Sequence, residues 1–526
     1  MGADGTRVAA KLREVVRGRL LDDRESLNKF ARDRSIYEIR PMVVVLPEDS
    51  EDVQRLVEFS VREGLPVTPR GGGSGLAGSA LGQGLVIALP KNEFWSRISG
   101  FSETSNSARV SPSAGVYHNE LQKFLNERGF FLPADVTSAQ ISRIGGNIAT
   151  KASGPHALKY GSIDRFLEQA EFVTDRGELV DTADERTIPE RFRKDLADLK
   201  RRIRANSAAR GLLEKRKSLK TASGYNLFAF LKELSSGELI AQLLAGSVGT
   251  LGFITRVTLR GEVQEHDHAA MILFFDDLVE TGRAVISLLE MDVAAIELIS
   301  RDTVRVISEQ TALPESLVTD AHILFVELTG PDRQSRIEQI TMHLEKSGLT
   351  MSSPPAVATA ENEIEKLWKI RKQVLFLIEQ PKPGIRALTV VNDVAVPPER
   401  LAEFIRDAQK IFAKHGMTAL MYGHAGNGNL HLRPLFDLSL PDLAGRVRRL
   451  ADDVYEVVFR YDGTVTAEHG MGRLRAPYLK KEWGDALYTY MREVKAIFDP
   501  RDILNPGTMF NDGPITENMR PDLLEP

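Results

Sequence analysis

The sequence predicts an α+β protein with two main domains, and three observations lead to that prediction. The chain has 526 residues, which is too long for a single hydrophobic core. Its first half places glycine-rich loops between short apolar strands, whereas the part after Glu262 alternates apolar strands with amphipathic helices. We therefore expect a ligand-binding domain followed by a domain with an antiparallel sheet and helices on one face.

Composition excludes several classes of protein. The chain is 42% hydrophobic and 27% charged, as expected of a globular protein, and it has no apolar run long enough to span a membrane. Its net charge of −5 gives no general reason to expect binding to nucleic acid. The N-terminus lacks an apolar signal region, so we expect a cytoplasmic protein or one that binds peripherally to a membrane. The absence of cysteine excludes disulfides, thiol catalysis and an iron–sulfur cluster held by this chain.

The first element of interest is a glycine-rich loop that follows a helix and a strand. Ser50 is the predicted N-cap of that helix, and the segment PRGGGSGLAG begins at Pro69. Its glycines allow backbone N–H groups to converge on an anion such as a pyrophosphate. The loop has no G-K-[ST] ending and leads into a strand, so it is neither a nucleotide triphosphate P-loop nor a Rossmann fingerprint. A surface loop without a ligand is the alternative.

Two further segments favour a ligand. Residues 131–164 are rich in small polar residues and lack regular apolar periodicity, which is typical of a functional segment. Residues 246–260, GSVGTLGFITRVTLR, form a loop that feeds an alternating strand. Between them, residues 184–220 carry 13 Lys and Arg against 6 Asp and Glu. A solvated helical face is the usual explanation for such a run, and an acidic partner or a membrane surface is the alternative.

The second half contains a histidine hairpin. Residues 421–434, MYGHAGNGNLHLRP, place His424 and His431 on either side of a glycine-rich turn, which predicts that the two rings meet. Imidazole nitrogens bind divalent metals, and Glu468 in TAEHGMG is the candidate third ligand, with His469 beside it as an acid or base. Structural loop histidines are the alternative.

Six motifs give the chain a family resemblance. PRGGGSGLAG, IGGNIATKASGPHALKYGSIDR, GSVGTLGFITRVTLR, GHAGNGNLHLRP, TAEHGMG and ILNPGTMF occur in this order over about residues 36–510. This set resembles the FAD-linked 2-hydroxy-acid dehydrogenases of the vanillyl-alcohol-oxidase superfamily, which include the glycolate oxidase catalytic subunit, D-lactate dehydrogenases and D-2-hydroxyglutarate dehydrogenases.

The resemblance implies a fold and a domain division. We expect an FAD-binding domain of the vanillyl-alcohol-oxidase (PCMH) type with an N-terminal helical segment over residues 1–262. Residues 263–495 would form the substrate or cap domain, an antiparallel sheet that carries the metal site. Residues 496–526 would return to the FAD domain.

The resemblance also implies site residues. His424, His431 and Glu468 match metal ligands, zinc being the first choice and manganese or iron the alternatives. His469 matches the catalytic base, and Arg371 in WKIRK matches an arginine that binds the substrate carboxylate. The residues expected along FAD are Pro69, Arg70, Gly71, Gly72, Gly73, Ser74, Gly75, Ser138, Gly145, Gly146, Asn147, Ser153, Gly161, Ile254 and Asn505. Ser74 stands where some oxidases have a histidine bonded to FAD, so the cofactor is expected to be non-covalent.

By this resemblance the protein oxidises a D-2-hydroxy acid such as lactate, glycolate or 2-hydroxyglutarate. The metal stabilises the alkoxide, His469 accepts the proton and flavin N5 takes the hydride. Leu375 and Val391 replace polar, substrate-holding side chains of the hydroxyglutarate branch, and Arg433 replaces a neutral amide. We assign Arg433 to the catalytic site, where it would bind a second anionic group of the substrate or a differently placed carboxylate. A salt-bridged structural arginine is the equal alternative.

The long members of the family carry a C-terminal iron–sulfur module that this sequence lacks. The electron acceptor is therefore expected to be separate: an iron–sulfur protein, an electron-transfer flavoprotein or a quinone. We expect no nucleic acid partner and no transmembrane segment, and a homodimer is compatible with the sequence. Three other functions stay open: an oxidase that uses oxygen directly, a flavin-binding subunit of an electron-transfer complex, and a metal-dependent hydrolase.

Overall fold

The computed structural model describes residues 3–314, 317, 319–379 and 382–524. The chain begins with a four-stranded sheet in the order β1-β2-β4-β3, in which β4 runs parallel to both of its neighbours and β1 is antiparallel to β2. Its strands are β1 (Arg19–Leu21), β2 (Val43–Leu46), β3 (Val67–Arg70) and β4 (Leu85–Ala88), and its helices are α1 (Ala3–Leu12), α2 (Arg24–Phe30) and α3 (Ser50–Glu63). Helix α3 is capped by Asp49, whose side chain accepts the Asp52 N–H, and not by Ser50 as expected.

A second, six-stranded antiparallel sheet follows, and its core strand β10 pairs with β6, β7 and β8. The strands are β5 (Ile98–Glu103), β6 (Ser107–Pro112), β7 (Phe130–Phe131), β8 (Leu167–Val173), β9 (Leu179–Asp181) and β10 (Phe253–Val263). The helices are α4 (His118–Asn126), α5 (Ile144–Thr150), α6 (Ala157–Tyr160), α7 (Glu190–Ala205), α8 (Ser207–Arg216) and α9 (Ser236–Leu244).

The third sheet has eight strands, all paired in antiparallel fashion, in the order β14-β11-β13-β12-β17-β18-β15 with β16 also on β18. The strands are β11 (His268–Phe275), β12 (Ala295–Ile299), β13 (His322–Thr329), β14 (Ser353–Ala358), β15 (Ile385–Ala387), β16 (Val394–Ala395), β17 (Ala419–Gly423) and β18 (Asn429–Asp437). The helices are α10 (Leu278–Leu288), α11 (Arg301–Gln310), α12 (Arg333–Lys346), α13 (Glu361–Leu377), α14 (Leu401–Lys414), α15 (Leu443–Arg460), α16 (Leu479–Phe498) and α17 (Pro521–Leu524).

Helices cover both faces of the third sheet, whereas the sequence predicted helices on one face. Met271 and Leu273 of β11 belong to the core that includes α10, α12 and α14. Ala270 and Ile272, which point to the opposite face, pack with α11 and α13 in a separate core. The strand is buried on both sides, which explains its unbroken apolar sequence.

The basic segment at residues 184–220 forms α7 and α8, and many of its charges are paired within the chain. Arg202 contacts Asp198 and Glu493, Arg204 contacts Glu233, and Arg216 contacts the buried Glu482. These pairs favour a structural explanation for most of the segment. Among the helices that the structure describes, none has the length and apolar character needed to cross a bilayer.

A charged cluster joins the second sheet's loops to the third sheet. His156 Nε2 lies 2.7 Å from Glu327 Oε2, and His268 Nδ1 lies 2.8 Å from Glu327 Oε1. Lys372 of α13 contacts Asp135 at 2.8 Å. Burial alone would raise the pKa of Glu327, but hydrogen bonds from the two histidines lower it to about 2. The cluster fixes the loop at residues 135–156 against the third sheet, and the cavity described next lies between them.

Candidate active site

The first glycine-rich loop, residues 71–75, lies at the end of β3 and is supported from behind. The Arg70 guanidinium donates to the carbonyls of Phe30, Arg32 and Ala80, at 3.1, 2.8 and 3.3 Å. A Cβ on Gly72 would lie 1.8 Å from the Ile141 carbonyl oxygen. Only glycine therefore allows this loop to approach the second loop so closely.

The second loop, residues 131–164, contains the short helix α5. The Gly145 N–H donates to the Ala114 carbonyl at 2.9 Å, and a Cβ on Gly145 would lie 2.7 Å from that of Ala114. A Cβ on Gly146 would meet no atom within 4 Å, because this residue borders open space. Asn147 Nδ2 lies 3.0 Å from His118 Nδ1. Close packing on one side and open space on the other make α5 one wall of a cavity.

One cavity runs between these loops and the third sheet. The empty space between them measures about 1530 Å³, with the open solvent at its mouth included. Its glycine-rich walls, on which backbone N–H groups can approach an anion, fit the phosphates of a dinucleotide cofactor. Of the residues predicted to bind the cofactor, those on the wall are Pro69, Arg70, Gly71, Gly72, Gly73, Ser74, Gly75, Ser138, Gly145, Gly146, Asn147, Ser153 and Ile254. The histidines, Glu468, Arg371 and Tyr422 line the same cavity.

Three predicted site residues do not lie on that wall. Gly161 adopts a φ of +81° beside the Arg165 side chain. Asn505 Nδ2 donates to the Ser79 and Val248 carbonyls at 2.8 and 2.7 Å, so it clamps two wall residues from behind. Arg433 is buried behind the wall.

The surroundings of Arg433 bear only on the salt-bridge alternative, and its binding of a substrate anion stays a prediction. Its Nη2 donates to the Ala387 carbonyl. Its Nε and Nη1 are buried without a hydrogen-bond partner among the described residues, so a hydrogen-bonded salt bridge is not seen. Burial lowers the pKa of this guanidinium. In β18 Arg433 follows His431 by two residues and therefore shares its face of the strand.

The candidate metal ligands converge on one oxygen atom. Glu468 Oε1 lies 3.1 Å from His424 Nε2, 3.5 Å from His431 Nε2 and 3.6 Å from His469 Nε2. Two donor atoms at about 2.1 Å from one tetrahedral zinc ion lie about 3.4 Å apart. The spacing and the donor types therefore fit a divalent metal held by His424, His431 and Glu468.

Contacts behind the histidines fix their ring nitrogens. His424 Nδ1 lies 2.7 Å from Glu297 Oε1, and His431 Nδ1 lies 2.7 Å from the Asn392 carbonyl oxygen. In each ring the Nδ1 faces an oxygen acceptor, so a ring bound to a metal would keep its proton on Nδ1 and present its Nε2 lone pair to the ion. The hairpin register pairs Tyr422 with His431, and His424 follows the end of β17.

Asp393 organises the loop that carries Glu468 and His469. Its Oδ2 accepts the Thr466 hydroxyl at 2.6 Å and the backbone N–H groups of Ala467, Glu468 and His469 at 3.1, 3.1 and 2.8 Å. Among the described residues, the side-chain donor atoms that all lie within 4.8 Å of one another belong to Asp393, His431, Glu468 and His469, and this group does not include His424. We assign Asp393 a supporting role and not a ligand role, because four donors contact its Oδ2 and the Asn429 amide donates to its Oδ1 at 3.3 Å.

Arg371 lines the cavity but is paired in this structure. Its Nη2 contacts Glu297 Oε2, and its guanidinium lies 5.2 Å from the centre of the Tyr422 ring. Its Nε has no hydrogen-bond partner among the described residues. Glu297 thus contacts both His424 and Arg371, and it was not among the site residues predicted from the sequence. A single carboxylate inside the apolar strand AIELI was the available signal.

Burial and charge shift the pKa values of these groups. Burial lowers the pKa of His431 well below its usual value, and burial also lowers the pKa of His469. Burial acts in the same direction on His424, but the carboxylates of Glu297 and Glu468 outweigh it and raise its pKa. His424 and the Lys220 ammonium overcome the effect of burial on Glu468 and lower its pKa well below the usual value. His469 is therefore a neutral imidazole near pH 7, as a base must be.

Comparison with known protein families identifies the type of cofactor-binding domain. Residues 41–183 match the family described as FAD binding domain, and residues 264–509 match the C-terminal domain of FAD linked oxidases. Over 97% of this chain and 98% of the other, the fold is similar to that of p-cresol methylhydroxylase, with a TM-score of 0.69 at 14% identity.

The match covers nearly the full length of some curated relatives and about half of the length of others. A D-2-hydroxyglutarate dehydrogenase of Stutzerimonas stutzeri is 27% identical over 94% of this chain and 96% of the relative. The glycolate oxidase subunit GlcD of Bacillus subtilis is 28% identical over 90% of both chains. A D-2-hydroxyglutarate dehydrogenase of Escherichia coli is 27% identical, and the match spans 49% of its length.

The fold and these matches define a flavin-binding oxidoreductase with a PCMH-type FAD domain. The two matches together cover most of the chain, which belongs to the FAD-linked oxidases, and the relatives that it resembles include a D-2-hydroxyglutarate dehydrogenase and a glycolate oxidase subunit. The sequence-based prediction of family and α+β class is thereby confirmed.

Proposed function

We propose that this protein oxidises a D-2-hydroxy acid to the 2-oxo acid with bound FAD and one divalent metal ion. The observation that carries the proposal is the shared cavity: FAD-type loops form one side of it, and three imidazoles with a carboxylate form the other. Bound FAD would supply the hydride acceptor, and the metal would supply the positive charge that stabilises an alkoxide. His424, His431 and Glu468 would hold the metal.

His469 would act as the base. Its Nε2 points towards Glu468 Oε1, so a substrate hydroxyl bound beside Glu468 comes within reach of this nitrogen. Its Nδ1 lies 3.6 Å from Asp393 Oδ2, a carboxylate that stabilises the imidazolium formed when Nε2 takes the proton. Arg371 lines the cavity and would hold the substrate carboxylate through its Nε, which has no hydrogen-bond partner among the described residues.

We further propose the domain division given by the sequence: residues 1–262 and 496–526 for FAD, and residues 263–495 for the metal. Pairing of Leu504 with Val67 and the Asn505 clamp support the assignment of the last segment. The electron acceptor would be a separate protein or a quinone. The name of the B. subtilis relative, a subunit, is consistent with an acceptor on another chain.

The test is anaerobic bleaching of the purified flavoprotein by a panel of acids. The panel contains the D- and L-forms of lactate, 2-hydroxyglutarate and malate, with glycolate and larger 2-hydroxy acids. We expect at least one D-acid to reduce the flavin fully without a partner protein, and its L-form to leave it oxidised. Flavin that dithionite reduces but no 2-hydroxy acid reduces would contradict the proposal. Rapid reoxidation by air would instead identify an oxidase.

A further inference from the structure

One lysine of the basic segment is buried in the candidate active site. Lys217, in the turn after α8, has a side chain that is 70% exposed, whereas the Lys220 side chain is only 7% exposed. The intervening turn carries Lys220 from the surface to the loop of Glu468. The proposed reaction, as derived above, does not use this lysine.

Lys220 contacts the oxygen of Glu468 that the histidines do not face. Its Nζ donates to Glu468 Oε2 at 2.9 Å and to Asn429 Oδ1 at 3.1 Å. The Ser153 hydroxyl donates to the same Oε2 at 3.0 Å. Glu468 therefore has one oxygen occupied by two donors and the other directed at three imidazole nitrogens.

The different contacts of the two Glu468 oxygens determine how this carboxylate could bind a metal ion. A carboxylate can bind a metal ion through one oxygen or through both. With both oxygens bound, Glu468 and two histidines would supply four donor atoms and complete a tetrahedral set. With one oxygen bound they supply three, so that a fourth position, and a fifth on expansion to five-coordination, stay open for the two oxygens of a 2-hydroxy acid.

We propose that Lys220, together with Ser153, is a positioning residue that keeps Glu468 a one-oxygen metal ligand and thereby leaves coordination positions for the substrate. This inference rests on the proposed metal-assisted function. It assigns Lys220 to the metal site and not to a surface for an acidic partner or a membrane. Without its Nζ, Oε2 keeps only the Ser153 hydroxyl, and Glu468 can turn both oxygens to the metal.

The test compares Lys220→Met with Lys217→Met, a matched change at the exposed lysine of the same turn. Both FAD-loaded variants and the wild type are stripped of metal and reloaded with Co²⁺, whose red absorption beyond the flavin bands reports coordination. Oxalate serves as the probe, because it chelates through two oxygens and has no hydrogen to lose as hydride. Metal content is measured by elemental analysis.

We expect Lys220→Met to keep one Co²⁺ per chain, to change the cobalt spectrum, and to weaken oxalate binding by about tenfold or more, as loss of a charge-assisted hydrogen bond implies. Lys217→Met should match the wild type. A Lys220→Met protein with wild-type spectrum and oxalate affinity would overturn the inference, as would one that loses the metal altogether.

Ser153→Ala covers the case in which Lys220→Met does not fold. It removes the other donor to Oε2, and we expect a smaller change in the cobalt spectrum in the same direction; an unchanged spectrum would count against the inference. Wild-type protein that binds no Co²⁺ would instead refute the proposed function itself, so the two failures are distinguishable.

Discussion

Replacing His469 with alanine should slow anaerobic flavin reduction by about 10²–10⁴-fold, the usual contribution of a general base. The expected loss follows from position: Nε2 faces the oxygen on which the candidate metal ligands converge, and Nδ1 lies near the buried Asp393 carboxylate. FAD and metal should both stay bound, because the backbone N–H of residue 469 still donates to Asp393. Rapid mixing with the best acid of the panel measures the rate.

The control for this variant is His266→Ala, which removes an exposed histidine. It should reduce its flavin at the wild-type rate. A His469→Ala protein that keeps its cofactors and also keeps the wild-type rate would show that another group takes the proton.

Replacing His424 with alanine should lower metal affinity by more than about a hundredfold, which is the upper end of what loss of a supporting contact costs at a metal site. His424 Nε2 is one of the three expected donor atoms, and its Nδ1 is held by Glu297. Flavin reduction should fall with the metal, while FAD content stays at the wild-type level because the cofactor loops lie on the other side of the cavity.

Elemental analysis of the purified His424→Ala protein, with its FAD content from absorbance, measures both quantities. The exposed His266→Ala variant again serves as the comparison. Metal content equal to the wild type would refute the assignment of His424 as a ligand, even if the activity were lost.

The sequence predicted the fold class and the cavity wall well because both depend on local signals. Glycine-rich loops between apolar strands predicted the loop at residues 71–75, and the histidine spacing predicted that the rings meet; their centres lie 5.2 Å apart. The sequence was interpreted as placing helices on one face of the third sheet. Unbroken apolar runs such as HAAMILFF, however, are typical of strands that are covered on both sides.

The supporting residues could not be found in the same way, because they reach the site from distant parts of the chain. Lys220 contacts a carboxylate 248 residues away, and Glu297 contacts a histidine 127 residues away. No local periodicity encodes such contacts. Within a basic run Lys220 resembles its solvated neighbours, whereas the isolated carboxylates of Glu297 and Asp393 in apolar segments did carry a signal.

Arg433 shows a different limit of sequence-based reasoning. Its position two residues after His431 in β18 places it on the same face of the strand as that candidate ligand. Whether its guanidinium reaches the cavity depends on packing around β15 and β18, where it donates to Ala387. The register of a strand shows on which face of the sheet a residue lies. It does not show whether a long side chain extends as far as the cavity.

In the proposed function, one cavity joins the flavin to a metal that the oxidation requires. This requirement is tested most directly by anaerobic flavin reduction by the best D-2-hydroxy acid, before chelation, after chelation and dialysis, and after return of one equivalent of Zn²⁺ or Mn²⁺. We predict that the stripped protein keeps its FAD and that its rate of flavin reduction falls by more than about a hundredfold, as expected for loss of several kcal/mol of charge stabilisation. The rate should return to the wild-type value when metal is restored. Flavin reduction at the full rate by metal-free protein would contradict this requirement.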